Sequence, residues 1–465
     1  MKLIVYPGGS LRGETTPPGD KSLSHRAALF AGLATGESCI RGFLVSGVTA
    51  AMLRALAALK IPYRLEGDTL TVTGSGMGAW QTPEAALDCG NSATTLRLLA
   101  GALAASGLPS VLDGSAGLRR RPMGRIVEPL RAMGVPVEAG PGGGAPLQLG
   151  GRHPGQSLRP IAYTLPVASA QVKTCLLLAA LAADGPTTLT EPALSRDHSE
   201  RMLASMGVSL ESFPAPPKGG SAGAYSVRLV PPARPLLPLN LTVAGDFSAA
   251  AFLLVAAVIT PGSLVTLRGV GLNPTRTGLL QTLLEMGANI RVTNPGERHG
   301  EPVGDLVAAF SRLAGVEVGG ERVVQMIDEF PAFAAAAAYA HGPTLVRQAE
   351  ELRFKESDRI SAVCQELRAL GVAAEETPDG FSLPGAGEVP GGATIDPHGD
   401  HRLAMALAVA GLAAGRPVTV EGAEIMNESF PGFAATLQAL GSSIETVEGL
   451  ASAEGARRSS QQADD

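Results

Sequence analysis

Long apolar runs are missing from this 465-residue chain. The longest strictly apolar stretch, 249–259, has 11 residues, against the roughly 20 that a bilayer-spanning helix needs. No membrane partner is expected. The start, MKLIVYPGG, has only four consecutive apolar residues after Lys2, too few for a secretory core of roughly 7 to 15, so a cytoplasmic location is expected. Cysteine is scarce as well: Cys39, Cys89, Cys175 and Cys364 lie far apart without a C-x-x-C pair. That excludes a disulfide framework or a thiolate zinc site, and the four are expected to be buried small apolar residues. Positive charge is in deficit, with 37 Lys plus Arg against 43 Asp plus Glu and a net charge of −6. There is no basic field for a polyphosphate backbone, so nucleic acid is not expected as a partner.

What is present is repetition. Gly 58 and Pro 35 together make 20% of the chain, below the level of low complexity, and 45% of residues are apolar. Six segments share a polar or small-residue start, an Ala-rich apolar run and a closing Gly: GDKSLSHRAALFAGLATG, GNSATTLRLLAGALAASG, ASAQVKTCLLLAALAADG, GDFSAAAFLLVAAVITPG, DEFPAFAAAAAYAHG and GDHRLAMALAVAGLAAG. They recur about every 76 residues. Each run is apolar all round, which predicts a buried helix. A second helical pattern follows in each unit, as in Met123, Ile126, Leu130 and Met133, with the spacing of an amphipathic surface helix. Short β-branched stretches between the two (SVLDG, TTLTEP, SLVTLRGV, TLVRQA, PVTVEG) predict strands. The class is therefore α/β. Six units exceed what one core holds, so two groups of three are expected. The expected division gives one discontinuous domain of 1–19 and 244–446, a second of 20–243, and a disordered tail at 447–465. The Pro/Gly-rich stretches 214–223 and 231–238 are expected as loops around an edge strand.

Cations recur at the predicted helix starts: Lys21, Arg119, Arg120 and Arg121 before Pro122, Arg196, Arg276, Lys355 and Arg402. A cation there opposes the helix dipole and asks for a compensating anion, while free N–H groups at the same ends suit phosphate or carboxylate. Each residue alone could equally be solvated or paired with neighbours such as Glu356 and Asp358. A multi-anionic small ligand between two domains accounts for the recurrence. ATP is not implied, because GDKS lacks the earlier Gly of a P-loop, whose place Glu14 holds. GSGMGA lacks the third Gly of a dinucleotide turn. Asp396, His398, Asp400 and His401 invite a metal assignment, but Arg402 beside them would repel the cation, and no metal is expected. His25 and His401 could orient neighbours or be structural.

GDKSLSHR, GNSATTLR, RRRPMGR, ASAQVK, MIDEFP, ELRFKESDR and GDHR occur in the order found in the 5-enolpyruvylshikimate-3-phosphate synthase family, and from about residue 1 to 445 the chain resembles it. The resemblance implies two similar domains, each of three βαβαββ units around buried helices, an inside-out α/β barrel. They would close over shikimate 3-phosphate and phosphoenolpyruvate without metal, nucleotide or other cofactor. It also implies a role in chorismate and aromatic amino acid biosynthesis; a monomer is expected. Carried over by residue, Lys21, Ser22, Arg26, Ser169, Ala170, Gln171 and Arg196 would hold shikimate 3-phosphate, with Asp328 and Lys355 at its ring hydroxyls. Lys21, Ala93, Arg121, Gln171, Arg359 and Arg402 would hold phosphoenolpyruvate, and Lys355 and Arg359, one helical turn apart, would share the cleft. Asp328, Glu356 and Lys21 would form the acid/base set, with Asp328 as proton acceptor; its other reading is a helix N-cap before PAFAAAAA. Three departures stand out: Ala93 where many members have Gly, Ala170 where many have Ser, and Glu428 where many have Lys. With NPTRTG and SRDHSE they resemble the glyphosate-tolerant class. One rival is a UDP-N-acetylglucosamine enolpyruvyl transferase, which typically carries a Cys in the loop before Arg121; GSAGLRRRP has none. Another is a noncatalytic repeat scaffold.

Overall fold

A computed structural model describes residues 1–153, 155–215 and 223–448. The six Ala-rich runs are helices: Lys21–Leu33, Ala93–Ser106, Ala170–Ala180, Phe247–Ile259, Phe330–Ala338 and His401–Gly411. All thirteen residues of Phe247–Ile259 are buried, as expected of a helix with no polar face. Small residues let these inner helices approach. At Gly101, a Cβ would lie 2.2 Å from the carbonyl oxygen of Cys175 on the neighbouring inner helix, so only Gly fits. Five of the six helices start at a side-chain cap: Asp20, Ser92, Ser169, Asp246 and Asp400 each accept from a backbone N–H of the first turn.

Around the inner helices stand six four-stranded sheets of one topology. In the second, third and fifth, the strand before the inner helix pairs parallel with the strand after it, and an antiparallel hairpin completes the sheet. In the second unit, for example, Leu87–Asp88 runs parallel to Ser110–Asp113, which pairs antiparallel with Leu147–Leu149 and through it with Val137–Ala139. The amphipathic helix between strand and hairpin, here Gly124–Ala132, buries Ile126, Val127, Pro129 and Leu130.

Three strands come from far along the chain. Asn240–Thr242 completes the first unit beside Thr35–Arg41, Arg12–Thr15 the fourth beside Leu264–Gly271, and Lys2–Tyr6 the sixth, between Val418–Val420 and Ser443–Val447. The buried apolar residues accordingly form two cores, one from Leu23 to Val243 and one joining Leu3, Val5 and Leu11 to residues 247–444. The chain crosses between them twice, and the crossings lie side by side. Gly19 bridges Gly245, and Asp20 N–H donates to the Ala244 carbonyl at 2.9 Å. A Cβ on Gly19 would overlap the Gly42 carbonyl oxygen, which keeps the crossing tight.

Some expectations need correction. Tyr225–Val230 is an inner strand, between Thr187–Glu191 and Ser209–Pro214, because the hairpin inserts its second strand into the sheet. Val447 closes a strand paired with Lys2, so it does not begin a tail; residues 449–465 lie outside the described residues. Cys89, Cys175 and Cys364 are buried, but Cys39 is only partly so. Among the described residues, no helix is long and apolar enough to cross a membrane.

Candidate active site

The N-terminal ends of five inner helices meet in a cleft between the two cores. Lys21, Ser22, Ala93, Ala170 and Gln171 reach it from one core, while His401 and Arg402, with Asp328 just ahead of Phe330–Ala338, reach it from the other. Arg26, Arg121, Arg196, Glu356 and Glu428 complete this inner chamber. An outer chamber shares Arg121, Gln171, Arg196, Asp328 and Glu356 and adds Ser169, Arg97, Arg125, Glu351 and Lys355. Of the site residues that the family resemblance implies, Arg359 alone does not line either chamber. It lies just behind the wall, 1% exposed, holding Asp400 at 2.7 Å and Glu356 at 2.7 Å.

The charges across the cleft face one another with incomplete pairing. Arg196 Nη2 lies 2.8 Å from Asp328 Oδ2 without hydrogen-bond alignment, and Arg359 Nη1 and Arg402 Nη2 stand 3.6 and 3.7 Å from the same carboxylate. Arg121 is 3.4 Å from Glu356. Arg196 Nη2, Arg359 Nη1 and Arg402 Nε are buried with no hydrogen-bond partner. Buried donors are normally satisfied, and an unmet one costs about 1–3 kcal/mol, so these N–H groups are poised for acceptors that a ligand brings. Burial pushes the Asp328 carboxyl up, but Arg402, Arg196, Lys355 and Arg359 outweigh it and hold it well below the usual range. Glu356 is likewise held low against burial by Arg359, Arg121, His401 and Lys21. Burial and then Arg402 pull the Lys21 ammonium down, opposed by Glu356, Asp328 and Asp246. Both carboxylates are thus held as ionised bases beside an ammonium that gives up its proton more readily than usual.

Other residues fall differently from expectation. Arg276 is no anion site: it is 2% exposed, and its guanidinium is taken by Asp20, by Asp246 at 2.8 Å and by Ser248 at 2.9 Å. Arg119 pairs with Asp113 at 2.6 Å, and Arg120 is exposed away from the cleft. Lys355 and Arg359 do not share a helical turn, because Asp358 caps the helix that Arg359 opens and Lys355 precedes it. Asp328 is not an N-cap: Glu329 holds that place and makes no side-chain cap. Arg26 is fixed within the wall by Ser199 (2.7 Å), Thr174 (3.0 Å) and the Ser22 carbonyl (3.1 Å). His25 sits between the Lys21 and Val48 carbonyls, its pKa lowered to about 4 by burial. His398 pairs with Glu366 and Asp400 with Arg359. No group of three metal-ligating side chains occurs among the described residues.

Sequence reasoning missed Arg97, Thr94 and Arg125. Arg97 donates to Gln171 Oε1 at 2.6 Å while Gln171 Nε2 donates to Thr94 Oγ1 at 2.9 Å, which fixes the amide's orientation. Arg125 bridges the cleft mouth to Glu351 with bonds of 2.9 and 2.7 Å. The signal for Arg97 was available: like Lys21, it is a cation in the first turns of an otherwise apolar helix.

The family model described as EPSP synthase (3-phosphoshikimate 1-carboxyvinyltransferase) matches residues 5–437. The 3-phosphoshikimate 1-carboxyvinyltransferase of Geobacter metallireducens is 46% identical over 432 residues, 92% of this chain and 96% of that protein. That of Synechococcus sp. is 48% identical over 443 residues, 94% of this chain and 96% of that protein. The solved EPSP synthase from Acinetobacter baumannii superposes with a TM-score of 0.83 at 39% identity, covering 96% of this chain and all of that one. The enolpyruvyl transferase NikO from Streptomyces tendae shares the fold, with a TM-score of 0.75 at 21% identity over 96% of this chain and 99% of that one.

Proposed function

The chain belongs to the EPSP synthase (3-phosphoshikimate 1-carboxyvinyltransferase) family and transfers the enolpyruvyl group of phosphoenolpyruvate to the 5-hydroxyl of shikimate 3-phosphate, releasing phosphate; from that premise we propose how the cleft divides the work. Lys21, Ser22, Arg26, Ser169, Ala170, Gln171 and Arg196 hold shikimate 3-phosphate, with Asp328 and Lys355 at its ring hydroxyls. Arg121, Arg402 and Arg359, with Lys21, Ala93 and Gln171, hold phosphoenolpyruvate, whose carboxylate and phosphate suit planar guanidinium forks. The observation that carries this reading is the set of buried, unpartnered guanidinium N–H groups around two ionised carboxylates.

In the addition step the 5-hydroxyl oxygen attacks the central carbon of phosphoenolpyruvate and gives its proton to Asp328, while the methylene carbon takes a proton from Lys21. In the elimination step the C–O bond to phosphate breaks and the new methyl group returns a proton to Glu356, which forms the enolpyruvyl double bond. The charge states fit these roles: both carboxylates are ionised and so free to accept a proton, and the ammonium beside them is deprotonated more easily than usual. The site is complete within one chain and both substrates are polar metabolites, which supports a monomer acting in the cytoplasm, without nucleic acid. The two cores support reading 1–19 with 244–446, and 20–243, as separate domains. We further propose that the Ala93 methyl narrows the phosphoenolpyruvate end of the cleft against glyphosate.

Phosphate release from phosphoenolpyruvate, with and without shikimate 3-phosphate, tests the division of roles. Asp328→Ala should lower kcat by about 10²–10⁴-fold with native circular dichroism. Near-native turnover in that variant would reject Asp328 as the base. With UDP-N-acetylglucosamine as acceptor no phosphate should appear.

A further inference from the structure

Glu428 is the residue of the cleft that the chemistry above leaves without a task. A carboxylate in a pocket for two phosphorylated anions repels its ligands unless something occupies its charge. Its side chain is 30% exposed, and its Oε2 stands 3.5 Å from Nδ1 of His401. The His401 ring is 2% exposed, and Nδ1 has no aligned hydrogen-bond partner. On the other side of the ring, Nε2 stands 3.4 Å from Lys21 Nζ, which comes from the opposite core. Three groups from three elements thus form a line: the segment Ala423–Glu428, the first residue of helix His401–Gly411, and the first residue of helix Lys21–Leu33.

We propose that Glu428, acting through His401, is a positioning residue for Lys21: its carboxylate takes the Nδ1–H, which leaves Nε2 as the acceptor that holds the Lys21 ammonium in the cleft. The tautomer decides the outcome. A neutral imidazole carries one N–H, and with that hydrogen on Nε2 the ring would set donor against donor at Lys21. An acceptor beside Nδ1 selects the useful form. Burial and then the Lys21 charge hold His401 below its ordinary pKa, which keeps the ring neutral. The charged groups facing the ring are Lys21, Glu428, Glu356, Asp400 and Arg402. Lys21 receives the influence of Glu428 by this route through a neutral ring, in addition to that of Glu356 and Asp328, and its readily lost proton is aimed by the ring.

The inference rests on Lys21 as the proton donor, so Lys21→Met is measured alongside. Steady-state kinetics with both substrates from pH 6 to 10 should give a Glu428→Ala enzyme with kcat lowered about tenfold and both KM values within about twofold. Its alkaline limb should fall at lower pH, because removing the carboxylate makes the Lys21 ammonium easier to deprotonate. Glu428→Gln, which keeps an oxygen acceptor for Nδ1–H, should recover most of kcat. Combining Glu428→Ala with His401→Gln should be no slower than His401→Gln alone, since both act through one ring. Unchanged kcat and limb in Glu428→Ala, a change confined to the phosphoenolpyruvate KM, or additive losses in the double variant would each overturn the positioning role. If Lys21→Met keeps full turnover, the donor assignment fails and this inference with it. If Lys21→Met is inactive while Glu428→Ala is normal, only the positioning role falls.

Discussion

Beneath the cleft, where the two chain crossings meet, a buried arginine is surrounded by acceptors. Arg276 reaches Asp20, Asp246 and Ser248, and Ser248 in turn donates to Glu329. Lys173 is treated alike, between Glu191 and Glu200 at 2.7 Å each. One layer above, Arg196, Arg359 and Arg402 each leave a buried nitrogen without a partner, as Arg276 does at Nε, but theirs lie in or just behind the cleft wall and that of Arg276 does not. Burying a charge is tolerable when it is paired. Below, the pairing carboxylates Asp20 and Asp246 stand away from the cleft and the result is architecture; above, the carboxylates Asp328 and Glu356 line the cleft together with the arginines, and the result is a binding site. Both arginine types stand at starts of helices and look alike in the sequence. What separates them is whether the fold sets the arginine and its carboxylates at the cleft or away from it.

The largest expected effect tests the lower layer. Arg276→Met leaves Asp20 and Asp246 buried without their cation, and breaking such a pair costs about 3–5 kcal/mol, to be read from urea unfolding. Arg402→Met should lie within about 1 kcal/mol of the parent in the same experiment, since it removes an incompletely paired charge from a crowd of cations. Its phosphoenolpyruvate KM should instead rise about 10- to 100-fold, the worth of a hydrogen bond to a charged group. If both substitutions destabilise equally, the distinction between the layers is lost.

The repeat was legible because its signal is local: an apolar run of helical length needs no knowledge of the rest of the chain. The parallel edge strands were not, since Asn240–Thr242 and Arg12–Thr15 are short and find their partners only through the crossings. The cleft residues were legible mainly through motif resemblance and partly through cations at helix starts. That second signal also selected Arg276 and Arg119, whose carboxylate partners include residues distant in sequence. The pairing of Lys355 with Arg359 on one turn failed although the sequence held the warning. Asp358 is a preferred capping residue, and it accepts from the Ile360 and Ser361 N–H groups, so the helix begins after Lys355.

The smallest expected effect concerns a residue with no charge at all. Ala93 is the first residue of its helix, 4% exposed, and lines the inner chamber with Lys21, Arg121 and Arg402. If cations grip the anions, a methyl group among them can only decide which anions fit. Overfilling a packed site by one methyl costs about 1–3 kcal/mol, and the cost falls on whichever ligand reaches furthest toward it. Ala93→Gly should therefore leave the phosphoenolpyruvate KM within about threefold while lowering the glyphosate concentration for half-inhibition by about tenfold. The substitution loses up to about 1 kcal/mol of helix propensity, so inhibition is to be compared at equal folded fractions. Equal sensitivity in both proteins would mean that the guanidinium layer alone sets selectivity. A gain in sensitivity would separate the two functions of the cleft, with charge providing affinity and a single methyl group providing discrimination.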